Sequence, residues 1–192
     1  MRKRALTIVF AAFMALSLTA CGGAPADTAE NATQTEQPSD EAQEPADTEP
    51  ESEYYFKDNV LVSEDVRIEI KDWKVIPVGD TGNEYGEKPV IAFWYDTTNL
   101  SGNENVTPST AWIAMFTAVQ DNDPNMVNEL NVGMLPDEQY LDSQMAQIKK
   151  DGTVSNAIAY ELTDETTPVV LKATRGIGGD TLGEQTFDIA SK

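Results

Sequence analysis

The feature that most restricts the fold of this chain is a series of short apolar segments after Tyr54, each bounded by turn-forming residues. In "VRIEIKDWKVI", apolar side chains alternate from Val66 to Ile70 and then change phase at Trp73, which is typical of a β-strand with a bulge. Further segments of this kind are "PVIAFWYDTTNLSG", "STAWIAMFTAVQ", "TVSNAIAYEL", "TPVVLKATR" and "QTFDIAS". About seven short strands in one series predict an all-β fold, an antiparallel β-sandwich.

One of these segments and two of the connections between them carry more detailed predictions. Because "STAWIAMFTAVQ" is apolar on both faces, we expect it to be a central strand. The segment "RGIGGD", Arg175 to Asp180, precedes a strand instead of following one, so it predicts a hairpin connection and not a phosphate-binding loop. Asp151 and Gly152 form a typical tight-turn pair before "TVSNAIAYEL".

The candidates for a metal site are weak, and all of them lie in the stretch "QDNDPN". Asp121, Asp123 and Asn125 stand at alternate positions, as at the start of a calcium loop of the EF-hand type. Met126 stands where that loop requires glycine, and Val132 stands where it requires a bidentate glutamate. Calcium is therefore the weaker interpretation of these three residues.

A helical interpretation of the same region is stronger. Asp123 can cap a short helix that has Pro124 at its first position, and the sequence to Lys150 contains a second helical pattern. The apolar residues expected to face inward are Met126, Val127 and Leu130 in the first stretch and Leu141, Met145 and Ile148 in the second. Between about 123 and 150 the prediction is a short helical excursion on the sandwich, with an irregular edge strand as the open alternative.

By composition the chain divides into three parts: residues 1–20, a leader with a basic start and an apolar run; residues 21–53, a cysteine followed by an acidic linker; and residues 54–192, the expected β-sandwich domain. Between Ala24 and Glu53 there are ten acidic residues, no basic residue and no large apolar residue. Such a segment cannot offset the entropy of ordering, so we expect a disordered tether.

Cys21 is the only cysteine in the chain. Three basic residues at positions 2–4 and an apolar run precede it, and that run is shorter than the roughly 20 residues of a membrane-spanning helix. The residues "LTAC", 18–21, resemble the bacterial lipobox. The resemblance implies that residues 1–20 are a lipoprotein signal peptide, cleaved before Cys21, and that the Cys21 sulfur carries diacylglycerol. Two acyl chains give stable anchoring. We therefore expect a protein bound to the cell membrane through lipid on Cys21, on the extracytoplasmic side.

The charge of the chain limits its partners. It has 33 acidic and 13 basic residues and a formal net charge of −20, and the part from Tyr54 to Lys192 has 23 acidic and 10 basic residues, a difference of −13. Such a surface repels phosphate groups, so nucleic acid is not an expected partner. A neutral or basic partner fits better.

The absence of histidine limits the chemistry. It excludes Ser-His and Cys-His nucleophiles and zinc sites built on His or several Cys residues. A carboxylate pair of the glycosidase kind remains conceivable. However, the adjacent acids lie in polar turns, where solvated surface is the ordinary interpretation; they are Glu64-Asp65, Asp137-Glu138 and Asp164-Glu165. We therefore predict that the protein is not an enzyme and that it has no catalytic residues and no cofactor.

Aromatic residues concentrate on two of the predicted strands. They are Phe93, Trp94, Tyr95, Trp112 and Phe116. One alternation of a strand faces the core, so most of these rings are expected there. An exposed cluster of them would mark a recognition surface for a peptide or a glycan.

The folded part resembles a family of Gram-positive lipoproteins that carry an uncharacterised domain. The segments that carry the resemblance are "KPVIAFWYDTTNLSG", "TAWIAMFTAVQDNDPN", "KKDGTVSNAIAYEL", "TPVVLKA" and "GEQTF", between about Phe56 and Ile189. The resemblance implies an immunoglobulin-like fold, related to a secreted mycobacterial immunoprotective antigen. It implies no reaction. The paired cysteines of a true immunoglobulin domain are absent from the sequence.

These observations predict a membrane-anchored extracytoplasmic lipoprotein that acts as a binding or interaction module. Its partner is expected to be an extracytoplasmic protein or glycan. The alternatives are a calcium-supported structural domain of the cell envelope and, with less support, a carboxylate-dependent hydrolase.

Overall fold

The structure of the protein is a computed structural model, and it describes residues 53–190. The predicted signal peptide, the lipid attachment at Cys21 and the linker up to residue 52 lie outside the described residues. Within them, no helix has the length and apolar character needed to cross a membrane.

Two antiparallel sheets enclose one main hydrophobic core, which confirms the predicted β-sandwich. The strands in chain order are β1 (Tyr55–Lys57), β2 (Val60–Val62), β3 (Val66–Ile76), β4 (Val90–Asn99), β5 (Phe116–Gln120), β6 (Asn128–Glu129), β7 (Thr153–Glu161), β8 (Val169–Thr174) and β9 (Thr181–Phe187). The first sheet has the order β1-β2-β3-β4-β7, and the second has the order β6-β5-β8-β9. A helix, α1 (Pro108–Met115), and a 3-10 helix (Glu138–Tyr140) complete the described elements.

The bulge predicted in β3 is confirmed. The pairing of β3 with β4 changes register between Ile70 and Asp72. Val66 and Ile70 before the bulge, and Trp73 after it, all pack against the main core. The extra residue therefore keeps the apolar side chains on one face although the sequence changes phase.

The predicted hairpin at "RGIGGD" is also confirmed. It joins β8 to β9, and Arg175 N donates a 2.8 Å hydrogen bond to Asp180 O. Gly176 and Gly178 both have positive φ angles, 76° and 71°. Glycine is the residue that adopts this backbone conformation without strain, which explains the spacing of glycines here.

The prediction that "STAWIAMFTAVQ" is a single strand is wrong in its first half. Residues 108–115 form α1, and only residues 116–120 form a strand, which lies inside the second sheet between β6 and β8. The helix begins at a capping box in which the Thr107 side chain accepts from Thr110 N and the Thr110 side chain accepts from Thr107 N. Pro108 occupies the first helical position. These start signals outweigh the strand-like composition.

Most of the predicted core aromatics do lie in the core. Trp112 is fully buried on α1 and not on a strand; it donates a 2.8 Å hydrogen bond from Nε1 to Tyr160 Oη and packs against Tyr95 and Phe116. Phe93 is buried beside it. Burial raises the pKa of Tyr160 to about 12, so its hydroxyl stays protonated as the acceptor for the indole.

The prediction of a helix that begins at Pro124 is wrong. Between 123 and 150 the described elements are the two-residue edge strand β6 and the 3-10 helix Glu138–Tyr140. Asp123 Oδ1 accepts hydrogen bonds from Asn125 N and Met126 N, so it caps a turn that no helix continues. Of the apolar residues expected to face inward, Leu130 and Ile148 are buried, whereas Met126, Val127, Leu141 and Met145 are all at least 65% exposed. Without a helix, these four side chains have no common face to bury.

The edges of the two sheets meet at β1 and β9. Asn59 N donates a 2.9 Å hydrogen bond to Gln185 Oε1. Gly183, in β9, has a φ angle of 143°, and a Cβ atom there would overlap the carbonyl oxygen of Phe56 in β1. Only glycine permits so close an approach of two backbones.

Candidate functional site: the Trp94 cleft

The candidate site lies on the outer face of the first sheet, and the β3 bulge determines which residues reach it. Lys74 pairs with Ala92, and Asp72 pairs with Trp94, so Lys74 and Trp94 are diagonal neighbours on one face. Strict alternation from Val66 would have turned Lys74 into the core. The ammonium nitrogen of Lys74 lies 5.2 Å from the centroid of the Trp94 ring, which is a cation–π contact.

A segment that we call the strap, residues 131–137, covers part of this face. Glu161 N donates to Asn131 O at 2.9 Å, and Gly133 N donates to Ala159 O at 2.8 Å, so the strap is bonded to the free edge of β7. Beneath it lies a small apolar cluster of Ile76, Val90, Ala92 and Ala159, against which Trp94 packs. A methyl group on Gly133 would lie only 3.3 Å from Val90 Cγ1, so the strap lies directly on the sheet.

A second segment, the Tyr85 loop (residues 77–89), forms the opposite wall. The buried side chain of Asn83 holds this loop: its Nδ2 donates to the carbonyl oxygens of Ile76, Pro77 and Lys88 at 3.2, 3.3 and 2.9 Å. Tyr85 stands two residues away and is 84% exposed. An ordered loop therefore presents an aromatic ring to solvent.

The loop and the strap meet at Gly82. Its φ angle is 91°, and a Cβ atom there would overlap the carbonyl oxygen of Pro136. The two walls consequently approach as closely as backbone atoms allow.

Between the two walls is the Trp94 cleft, with a volume of about 440 Å³. Trp94 is half-buried in it, and its Nε1 donates a 3.2 Å hydrogen bond to Asp137 Oδ2 at the end of the strap. The lining residues that matter for chemistry are the aromatics Tyr85 and Trp94, the charged residues Lys74, Glu84, Asp137 and Glu138, and the apolar residues Met134, Leu135 and Pro136.

The cleft has an acidic balance. One lysine and three carboxylates line it, a formal charge of −2. Partial burial opposes ionisation of Asp137, but hydrogen bonds from Gln139 and from Trp94 outweigh that effect and lower the pKa of Asp137 below its usual value. Asp137 is therefore a stable anion at neutral pH.

The chain shares sequence with one known family over most of its length. Residues 41–175 match the family model described as "Domain of unknown function (DUF5067)". The chain belongs to this family. All the residues that line the Trp94 cleft lie inside the matched range of this DUF5067 protein.

Two solved structures are similar to this DUF5067 protein. One is described as a "putative lipoprotein" from Staphylococcus aureus subsp. aureus NCTC 8325; it is 25% identical, with a TM-score of 0.59, over 70% of this chain and 90% of that chain. The other is an uncharacterised β-sandwich protein from Clostridium difficile 630, 16% identical with a TM-score of 0.38, over 72% of this chain and 96% of that chain. None of the curated proteins matches the chain.

Of the five strand aromatics predicted to form either the core or a recognition surface, only Trp94 lines the cleft of the DUF5067 domain. The reason is alternation: Phe93 and Tyr95 face the core, and Trp94 between them faces outward. Tyr85, Asn83 and the role of Asp137 were missed by sequence reasoning. An aromatic residue inside the turn-rich "PVGDTGNEYGEK" was the one available signal.

The three metal candidates of the DUF5067 domain lie elsewhere, beside the second sheet. Asp121, Asp123 and Asn125 line another cleft together with Lys172 and Glu184. Across residues 53–190, no three His, Cys, Asp or Glu side chains are arranged to hold a metal ion. Calcium binding by these residues remains a prediction.

Proposed function

We propose that this protein is a lipid-anchored extracytoplasmic binding module whose ligand occupies the Trp94 cleft. The anchor is proposed from the lipobox-like residues at Cys21, and the similarity to the S. aureus protein described as a "putative lipoprotein" supports it. We also propose that the β-sandwich is immunoglobulin-like and related in fold to the mycobacterial antigen. The acidic residues between Ala24 and Glu53 serve as the tether that separates the module from the membrane.

The observation that carries the binding role is the exposure of Tyr85 on a loop that is held in place. A loop that served only to connect β3 and β4 would gain nothing from an aromatic ring in water. Here a buried asparagine with three hydrogen bonds fixes the loop, and the ring is 84% exposed beside a half-buried tryptophan. Rigid aromatic residues at the rim of a concave surface are typical of recognition sites, because little side-chain entropy is lost on binding.

The proposal is that the site binds and does not catalyse. The chain contains no histidine, and its single cysteine is assigned to the anchor. In the cleft, the carboxylate of Asp137 is engaged by Trp94 and Gln139, and its lowered pKa makes it a poor general acid at neutral pH.

Photocrosslinking in intact cells tests the binding role. A photoreactive phenylalanine analogue replaces Tyr85 in the full-length protein, and the control carries it at Ile177, an 88% exposed residue of the β8–β9 hairpin. We expect discrete crosslinked species from position 85 that are absent from position 177. The same products from both positions, or no product from position 85, would reject the Trp94 cleft as the binding site.

A further inference from the structure

We propose that the Trp94 cleft recognises the ammonium group of a lysine side chain on an extracytoplasmic peptide, and that Lys74 occupies this position until the ligand displaces it. The inference rests on the proposed function and specifies its ligand class. It is carried by four features of the cleft: the occupied ring face, the carboxylate behind the ring, the acidic surroundings, and the weak attachment of Lys74.

The first feature is the occupied ring face. The Lys74 ammonium lies 5.2 Å from the centroid of the Trp94 ring, so the chain itself places an alkylammonium group on this surface. Tryptophan is the aromatic residue that binds cations best, and the contact is stronger where water is partly excluded. The half-buried ring between the strap and the Tyr85 loop provides such a place.

The second feature is the carboxylate behind the ring. Trp94 Nε1 donates to Asp137 Oδ2 at 3.2 Å. An anion that accepts from the indole N–H polarises the ring and makes its face more negative, which strengthens the attraction for a cation. The same carboxylate remains charged at neutral pH and attracts the incoming ammonium group directly.

The third feature is the composition around the ring. With Lys74 in place, the cleft still has a formal charge of −2, because Glu84 and Glu138 line it as well. When Lys74 moves into solvent, the arriving cation restores the balance that Lys74 provided. Met134, Leu135 and the Tyr85 ring supply apolar surface for the methylene chain of a lysine.

The fourth feature is how weakly Lys74 is held. Its residue is exposed, and among the ion pairs within 4 Å in residues 53–190 none includes Lys74. Lys71 on the same strand, in contrast, is paired with Glu69 at 2.8 Å. Lys74 is held by the cation–π contact and by longer-range attraction to Asp137, without a direct ion pair. A ligand that adds further contacts can therefore take its place.

The test uses the full-length protein in detergent micelles and two short peptides. One contains a single lysine between uncharged residues, and the other contains acetyl-lysine at the same position. The readout is the indole N–H signal of Trp94 in a proton–nitrogen correlation spectrum, assigned by its loss in Trp94→Phe. We expect the lysine peptide to shift this signal with an affinity about tenfold or more above that of the acetylated peptide. Equal affinities, or no shift with lysine peptide up to about 10 mM, would overturn the proposal.

Three variants sharpen the test. Lys74→Ala frees the ring face and should raise the affinity for the lysine peptide about three- to tenfold. Asp137→Asn keeps an acceptor for the 3-10 helix cap and should lower the affinity about tenfold. Lys71→Ala is the matched control and should change nothing. A loss of affinity in Lys74→Ala would reject the exchange model, since Lys74 would then be a contact for the ligand.

The outcomes separate this inference from the proposed function. Crosslinks at position 85 together with equal binding of both peptides would mean that the cleft binds a ligand of another class, such as a neutral glycan. Absence of those crosslinks together with an unperturbed Trp94 signal would reject both.

Discussion

The Asn83 side chain and Gly86 provide the most stringent test of how the Tyr85 loop is built. Asn83 Nδ2 makes three hydrogen bonds, each worth about 1 kcal/mol net, and two of them are long, so Asn83→Ala should cost about 2–3 kcal/mol of unfolding free energy. For a domain of about 140 residues this corresponds to a fall in melting temperature of about 10 °C.

Gly86→Ala should destabilise the protein for the same reason, although its own backbone accepts alanine. A methyl group on Gly86 would overlap the Asn83 side chain, and the three nearest atoms all belong to that side chain. The asparagine would have to leave its position and lose its hydrogen bonds. We expect a cost of about 2 kcal/mol, because alanine also reduces the entropy of the unfolded chain by up to about 1 kcal/mol.

The decisive measurement is the double variant. When Asn83 is already alanine, the obstacle to a methyl group at position 86 is gone and only the entropy effect of the alanine remains, so the double variant should be as stable as Asn83→Ala or up to about 1 kcal/mol more stable. The two single effects should therefore fail to add by about 2–3 kcal/mol in urea unfolding of the full-length protein followed by circular dichroism.

Gly79→Ala is the matched control in the same loop. Gly79 has a φ angle of 88°, and a Cβ atom added there would have nothing within 4 Å, so alanine should cost about 1 kcal/mol of backbone strain. That cost should add to the cost of Asn83→Ala. Additivity of Asn83→Ala with Gly86→Ala to within about 0.5 kcal/mol would refute the described packing of the loop.

Three further predictions concern other parts of the chain. Gly183→Ala should lower the melting temperature by several degrees, because its Cβ would overlap the Phe56 carbonyl and its φ angle is positive; an unchanged melting temperature would contradict the β1–β9 contact. Hydrogen bonds from Thr167 N and other donors lower the pKa of Asp164, so the stability difference between wild type and Asp164→Asn should be largest above about pH 4 and shrink as the pH falls further; a difference independent of pH would count against this. Cys21→Ser should abolish labelling by a palmitate analogue and leave an unprocessed precursor, and normal labelling of the variant would disprove lipid attachment there.

The strands were predictable from sequence where local pattern and burial agree. In β3, the apolar residues before Ile70 and those from Trp73 onward alternate in different phases, yet both sets face the same core. Only an extra residue between them allows this, so the change of phase indicated the bulge. The β8–β9 hairpin was predictable because its glycines match the backbone conformations that the turn requires.

Helix α1 was missed because its outward face is not polar. Its buried residues Ala111, Trp112 and Met115 recur with helical period, but the outward face carries Ile113, which is 56% exposed, so the segment lacks the polar stripe by which a helix is recognised. The signals at Thr107 and Pro108 were present and could have corrected the interpretation.

The Trp94 cleft could not be derived from sequence because it depends on distant segments. The strap reaches the first sheet through hydrogen bonds to the edge of β7, and the Tyr85 loop touches the strap at Gly82. Trp94 and Asp137 are 43 positions apart in the chain, and no local pattern relates them. Strand alternation could have predicted that Trp94 faces outward, but it could not have predicted that Asp137 and the Tyr85 loop lie beside it.

The contact of β1 with β9 also bears on how such proteins behave when crowded side by side. An unprotected strand at the margin of a sheet can add a strand from a neighbouring molecule and start polymerisation. In residues 53–190, β1 and β9 shield one another, the strap shields β7, and β6 is only two residues long. Molecules packed densely on one surface would thus find little unpaired strand backbone through which to extend one another's sheets.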